Sequence, residues 1–299
     1  MKISDLFQTQ AQTFSFEFFP PKNPEDVENL FDRANDLKQL GASFCSVTYG
    51  AGGSTRKNTI DLVCRFQAEL ELVGMAHLTC VGHTQAELQE VLHELQDRGV
   101  ENLMCLRGDP PLGQTEFIPA SDGFSYAAEL VQLARTVRGF CIGVAGYPET
   151  HPECPDRQRD LEHLQAKVNC GADFVTTQLF FNSQDYFDFV DRAKRAGIRQ
   201  RIVPGIMPIT NYRQIVRFTG MCGAAIPPEL HERLAPVADD PGAVLEIGVD
   251  WAWRQCEALL AGGAPGIHFY TMNRSRATQL IFERLRESSV SAPLPTAAA

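Results

Sequence analysis

The sequence predicts an α/β protein of a single domain, a (β/α)8 TIM barrel. Three observations predict it. Short β-rich runs alternate strictly with longer runs of helical period, eight times over. Such alternation argues for a parallel sheet, and eight strands are the number that closes a barrel. No linker or composition break interrupts the chain before residue 287. Polar and titratable residues gather at the C-terminal ends of the predicted strands, where a barrel carries its active site. The length of 299 residues would allow two average domains, but eight βα units use nearly all of it once. The barrel is expected over 1–287. The small, proline-containing tail over 288–299 is expected to be disordered.

The elements follow in order. Aromatic and β-branched residues mark the first strand over 13–19. A helix over 24–40 follows, with Asn23 as N-cap, Pro24 at its first position and Asp26 in its first turn. The second strand is expected over 43–49 and its helix over 55–70. The third strand covers 74–81, and Thr84 with Glu87 forms a capping box for a helix over 84–98. Strands over 102–107, 140–147 and 174–180 precede helices over 121–137, 156–170 and 183–196. The seventh strand, over 201–206, leads to a helix over 210–219 and to two more helical stretches, 228–235 and 243–260. The eighth strand, over 266–270, feeds a last helix over 274–286. Gly41, Gly99, Gly139, Gly171 and Gly197 each stand where a helix should end in the left-handed conformation.

Composition narrows the function. Hydrophobic residues make up 44% and charged ones 21%, which excludes collagen-like and largely disordered chains. The net charge is −10 with no basic stripe, so nucleic acid is not an expected partner. Any anionic ligand must meet a few placed cations against this acidic background. Nine cysteines occur without a CxxC pair, and no HExxH or other metal spacing is present, so no metal site is expected. The odd count and the lack of a signal-peptide layout at Met1–Asp5 fit a reducing, cytoplasmic setting. No apolar run reaches the length of a membrane span.

Candidate residues lie at the strand ends. In the run Phe14-Ser15-Phe16-Glu17-Phe18-Phe19, period 2 puts Phe14, Phe16 and Phe18 on one face and Ser15, Glu17 and Phe19 on the other. The aromatic face should meet the outer helices, leaving Glu17 inside the barrel mouth. Desolvation there would suit it to general acid work; a buried ion pair with a neighbouring strand is the other reading. Arg107-Gly108-Asp109 combines a phosphate-binding side chain, close backbone approach and an acceptor for a ring N–H, or else forms a turn with an exposed ion pair. Gly50-Ala51-Gly52-Gly53 opens a helix and could bind an anion there, or is a flexible βα loop; it matches neither the Rossmann GxGxxG nor the P-loop GxxxxGK(S/T) pattern. Asp160 and Lys167 share a helix face two turns apart, and Gln214 and Phe218 one turn apart. Lys167 could neutralise a phosphate, but without other evidence its pair reads as a solvated helix face; Phe218 reads as core rather than as a ligand clamp, and His77 alone as a satisfied core histidine.

Taken together, the ordered set Phe16-Glu17-Phe18-Phe19-Pro20-Pro21, Ser46-Val47-Thr48-Tyr49-Gly50-Ala51, His77-Leu78-Thr79-Cys80, Leu106-Arg107-Gly108-Asp109, Tyr147-Pro148-Glu149, Thr177-Gln178, Pro204-Gly205-Ile206 and His268-Phe269-Tyr270-Thr271 with Asn273-Arg274 resembles methylenetetrahydrofolate reductases of the short bacterial type. The resemblance covers about residues 14–285. It implies an FAD-binding barrel in which NADH or NADPH reduces the flavin, and 5,10-methylenetetrahydrofolate then takes up the hydride to become 5-methyltetrahydrofolate, for methionine synthesis. It implies Glu17 as the acid and Asp109 beside flavin and pterin. Thr48, Tyr49, Ala51, His77, Arg107, Gly108, Ala120, Tyr147, His151, Cys154, Asp160, His163 and Lys167 would line the cofactors. Gln178, Gln214, Phe218, Tyr270 and Arg274 would hold folate. It also implies a homo-oligomer and, at this length, no C-terminal regulatory domain.

The chain departs from that resemblance at Cys154, His163, Ala166 and Leu179. Ala166 stands where a cation is expected near the FAD diphosphate. Two other readings of the barrel are a folate-dependent methyltransferase or phosphate-binding aldolase, and a non-catalytic folate binder. A zinc-thiolate methyltransferase needs clustered cysteines and a Schiff-base aldolase a strand-end lysine; the sequence has neither.

Overall fold

The computed structural model describes residues 1–291 except 22, 24, 50–55, 111–112, 114–115 and 274. Nine parallel strands form one sheet: β1 (Thr13–Phe18), β2 (Phe44–Val47), β3 (Val73–Thr79), β4 (Asn102–Leu106), β5 (Cys141–Gly146), β6 (Phe174–Thr177), β7 (Arg201–Val203), β8 (Gly205–Ile206) and β9 (Gly266–Tyr270). Their order is β7-β6-β5-β4-β3-β2-β1-β9-β8. β7 and β8 are one chain segment, so the sheet closes on itself as the expected barrel. Pro204 divides the expected strand over 201–206, because its ring nitrogen has no hydrogen to give the ladder. Its carbonyl still accepts from His268 N at 2.9 Å.

The helices are α1 (Ile3–Thr9), α2 (Asp26–Gln39), α3 (Arg56–Leu70), α4 (Gln85–Asp97), α5 (Ala127–Thr136), α6 (Arg157–Asn169), α7 (Ser183–Arg195), α8 (Tyr212–Cys222), α9 (Pro228–Leu234), α10 (Pro241–Ala261) and α11 (Ser275–Ser291). The Thr84–Glu87 capping box closes α4 as expected, with Glu87 N on Thr84 Oγ1 at 3.2 Å and Thr84 N on Glu87 at 2.8 Å. α5 starts six residues later than expected. Glu129 is its reason: the carboxylate accepts from Ser125 N and Tyr126 N at 2.9 and 2.8 Å and sets the first turn there. α2 starts at Asp26 rather than at Pro24, which lies outside the described residues. Asn23 still marks the entry, its carbonyl accepting from Asp26 N at 3.1 Å. α11 continues to Ser291, past the boundary expected at 287.

The core has three parts. The largest lies between strands and helices: Phe16 stacks on Phe269 with centroids 5.5 Å apart, and Phe18 meets Phe66 at 5.6 Å. Phe16 and Phe18 thus face outward, as the period of the first strand requires. A second cluster fills the barrel floor, where Ile3, Leu6 and Phe7 of α1 cover Phe44, Met75, Met104, Cys141, Phe174 and Val203. No element was expected before Thr13. The i, i+3, i+4 apolar spacing of α1 spans only seven residues, too short for periodicity to be decisive. The third cluster joins Leu179, Phe181 and Ile209 to Ile215 of α8, Leu230 and Leu234 of α9, and Val244 of α10.

Candidate active site

The barrel interior above the floor is polar. Glu17 is the fifth residue of β1 and pairs in register with Ser46 of β2 and Tyr270 of β9. Because Phe16 and Phe18 face outward, its carboxyl points inward, and the residue is only 7% exposed. Glu17 Oε2 lies 3.5 Å from His77 Nε2 and 3.8 Å from His268 Nε2. Burial pushes His77 down to about 4, with Glu17 opposing and His268 adding to the shift, so the imidazole is neutral at physiological pH. The buried ion pair that the sequence left open is therefore, at His77, a carboxyl beside a neutral ring. Burial first, then the nearby Glu17, raises the Tyr270 hydroxyl well above its ordinary value. That hydroxyl donates to the Thr177 carbonyl at 2.5 Å.

A second group lies on the rim formed by the ends of β4 and β5 and by α6. Gly108 has φ +90°, and a Cβ there would meet Val81 Cγ1 at 2.7 Å, so the turn requires glycine. Beside it, Arg107 makes a two-pronged pair with Glu153, both bonds at 2.6 Å, and lies 4.9 Å from the Phe117 ring centroid. The ion-pair reading of this turn is thus realised, with a partner the sequence reading missed. Asp109 is exposed at the turn. Tyr147 packs edge-on to His151 at 4.7 Å. Burial raises the Tyr147 hydroxyl, helped by the charges of Asp109 and Asp160.

Asp160 and Lys167 influence each other electrostatically. Lys167 Nζ donates to the Ala145 carbonyl, and burial lowers it to about 8 against the pull of Asp160. Burial also raises Asp160, opposed by Lys167 and by the His151 backbone N–H. Cys154, Asp160 and His163 bring ligand-type atoms within 4.8 Å of one another. Cys154 is held there by a bridge to His151. Ala120 lies in the loop before α5, where its carbonyl accepts from Gly123 N at 2.9 Å.

The other expected residues are more dispersed. Thr48 follows β2, and its carbonyl accepts from Thr59 at 2.8 Å. The Tyr49 ring is in the outer core with its hydroxyl 3.1 Å from His83 Nε2, so its side chain does not line the mouth. Gln178 follows β6, with its Oε1 accepting from Leu179 N at 2.8 Å. It borders a small pocket with Tyr147, Leu179 and Cys222. Gln214 lies in the first turn of α8, and Phe218 packs at the edge of the third apolar cluster. Ala51 and Arg274 lie outside the described residues.

The sequence placed Ser15 on the inward face with Glu17, and His268 and Asn273 in the motif of the last strand, but gave none of the three a role. Ser15 and His268 face each other in register, with Ser15 Oγ 2.8 Å from His268 Nδ1. Asn273 clamps the end of β1, donating to Phe19 O and accepting from Phe19 N, each at 2.8 Å. The period-2 pair His268 and Tyr270 was the available signal that His268 faces inward.

The sequence profile of the family Methylenetetrahydrofolate reductase matches residues 2–286. The chain is 40% identical to methylenetetrahydrofolate reductase (NADH) 1 of Arabidopsis thaliana, over 99% of this chain and 53% of that protein. It is 35% identical to the 5,10-methylenetetrahydrofolate reductase of Escherichia coli, over 94% of this chain and 93% of that one. The chain thus spans about half the length of the plant relatives it matches, and nearly the whole of the bacterial one. Among solved structures, a Clostridium thermocellum protein described as binding two copies of 5-methyl-5,6,7,8-tetrahydrofolic acid superposes with a TM-score of 0.64 at 14% identity, covering 97% of this chain and 99% of that one. A dihydropteroate synthase from Xanthomonas albilineans gives 0.51 at 13%, covering 94% of each. These last two likenesses concern the fold alone. With the profile spanning residues 2–286 and a bacterial relative matched over nearly its full length, the chain belongs to the methylenetetrahydrofolate reductase family.

Proposed function

We propose that the chain reduces 5,10-methylenetetrahydrofolate to 5-methyltetrahydrofolate with NADH or NADPH, through FAD. The observation that carries this reading is Glu17, a carboxyl inside the barrel mouth next to an imidazole, His77, that does not take its proton. An acid is needed there because the five-membered ring of the substrate must open at nitrogen before carbon can accept a hydride.

Several observations support a flavin dinucleotide at this site. The buried polar atoms Ser46 Oγ, His77 Nε2 and Thr79 Oγ1 lack hydrogen-bond partners among the described residues, as groups awaiting a polar ligand do. The turn at Gly108 brings backbone close to the mouth. Lys167 and Arg107 are cations on this rim that a diphosphate could meet, and a buried Lys whose charge is held down by desolvation gains most from an anion. Asp160, His151, His163, Cys154, Tyr147, Ala120, Thr48 and Tyr49 would complete the cofactor surface. When bound, FAD supplies the hydride transfer between nicotinamide and folate.

The chain's residues then have separate tasks. Glu17 holds a proton and delivers it to the folate nitrogen as the ring opens. Neutral His77 does not compete for that proton. Asp109, exposed at the rim, accepts hydrogen bonds from ring N–H groups of the pterin. Gln178, Gln214, Phe218, Tyr270 and Arg274 orient nicotinamide and folate in turn. Asp160 faces Lys167 and limits the net charge that the rim offers a diphosphate.

The test is direct. The purified chain, supplied with FAD if needed, is yellow; anaerobic NADH bleaches it and methylenetetrahydrofolate restores the colour. A colourless protein that FAD does not reconstitute, or a bleached one that folate leaves unchanged, overturns the proposal.

A further inference from the structure

We propose that His268, with its tautomer set by Ser15, is a positioning residue that supplies an N–H to the Glu17 carboxylate formed when the acid gives up its proton. The inference rests on the reading of Glu17 as the folate acid. Its basis is a buried line of three side chains on adjacent strands. Ser15 pairs with His268 and Glu17 with Tyr270 across β1 and β9, and all four point into the barrel by alternation. Ser15 is 0% and His268 1% exposed.

The tautomer follows from counting hydrogens. Ser15 Oγ lies 2.8 Å from His268 Nδ1, and the Ser15 hydroxyl has no other acceptor among the described residues. If Nδ1 carried the ring hydrogen, it would donate to Oγ and leave the buried hydroxyl hydrogen with no partner, an unmade hydrogen bond that burial makes costly. The hydroxyl therefore donates to Nδ1, and a ring with a single N–H carries it on Nε2. That atom faces Glu17 Oε2 at 3.8 Å, one small side-chain rotation from a hydrogen bond.

The consequence is differential. A protonated Glu17 needs little from an N–H donor, whereas an ionised one gains a charge-assisted bond. The donor thus favours the state reached after proton delivery. The proton leaves Glu17 for the folate nitrogen, and His268 keeps its own. Among the described residues Ser15 has no onward partner, so none of them continues a path down the barrel; Glu17 regains its proton at the mouth.

Two substitutions separate this role from simple packing. His268→Gln keeps an N–H near the Nε2 position. His268→Asn keeps a polar group near Nδ1, facing Ser15, and leaves Glu17 without the donor. In the FAD-loaded enzyme, both variants reduce flavin with NADH at close to the native rate, which shows that they fold and that the cofactor reading holds. Folate reduction then falls about tenfold or more in the Asn variant and only about threefold in the Gln variant. An Asn variant as fast as the Gln variant, or faster, overturns the proposal. A second readout needs no cofactor. Nitrogen-15 imidazole spectra of the flavin-free chain, with His268 assigned by its loss in the variants, show the Nε2–H tautomer in the native protein and a mixture in Ser15→Ala. A ring protonated on Nδ1 overturns the assignment whatever the flavin does.

Discussion

Glu17 Oε2 and His77 Nε2 stand 3.5 Å apart inside the barrel, yet burial keeps that imidazole uncharged down to about pH 4. The pair is therefore not a salt bridge at neutral pH. It is a carboxyl with a weakly basic neighbour, an arrangement that suits an acid which must part with its proton to a substrate.

The same geometry predicts acid sensitivity. His77 is lowered in the folded chain from 6.5 to about 4, so between those values the unfolded chain binds more protons. Stability is then complete above pH 6.5 and falls as pH drops towards 4, by up to about 3 kcal/mol from this group. Urea unfolding of the native chain and of His77→Asn at pH 7 and pH 5 checks it. The variant loses less stability between the two pH values; equal losses contradict the account.

Lys167 predicts the pH dependence of cofactor binding. Burial lowers it to about 8, with Asp160 opposing. An anionic diphosphate raises it again, so above pH 8 binding takes up a proton. FAD affinity is flat below pH 8 and falls above it, by up to about tenfold per pH unit. Flavin fluorescence titrations from pH 6.5 to 9.5 measure this. Lys167→Met removes the slope and weakens binding at pH 7; a slope that survives the substitution contradicts the assignment.

Much of the fold was legible because each βα unit carries its own signal: period 2 in the strand, period 3.6 in the helix, and a glycine between units. The outward turn of Phe16 and Phe18, and hence the inward turn of Glu17, followed from alternation alone. What was not legible depends on contacts between distant segments. α1 is too short to show a period and owes its place to the apolar barrel floor. Pro204 interrupts a strand whose pattern otherwise runs on. His268 meets Ser15 only through the register of β1 and β9, and Glu153 meets Arg107 only because the loops after β4 and β5 adjoin. Those pairings carry the polar order of the site, and linear sequence does not display them.

The floor yields a stability prediction. Phe7 packs edge-on to Phe174 with centroids 5.4 Å apart, and Arg201 lies over its ring at 5.0 Å. Phe7→Ala empties part of the floor and costs about 3–4 kcal/mol. Equilibrium urea unfolding reads it directly; a loss below about 1 kcal/mol, the scale of surface changes, would show that α1 is dispensable to the barrel.

The central claim is that Glu17 is the acid of the folate step and has no part in the nicotinamide step. Anaerobic stopped-flow measurement of the two half-reactions in Glu17→Gln tests it. Flavin reduction by NADH is expected within about threefold of native, and folate reduction slowed by about a hundredfold or more. Equal slowing of both half-reactions, or a folate step that survives the substitution, would contradict it.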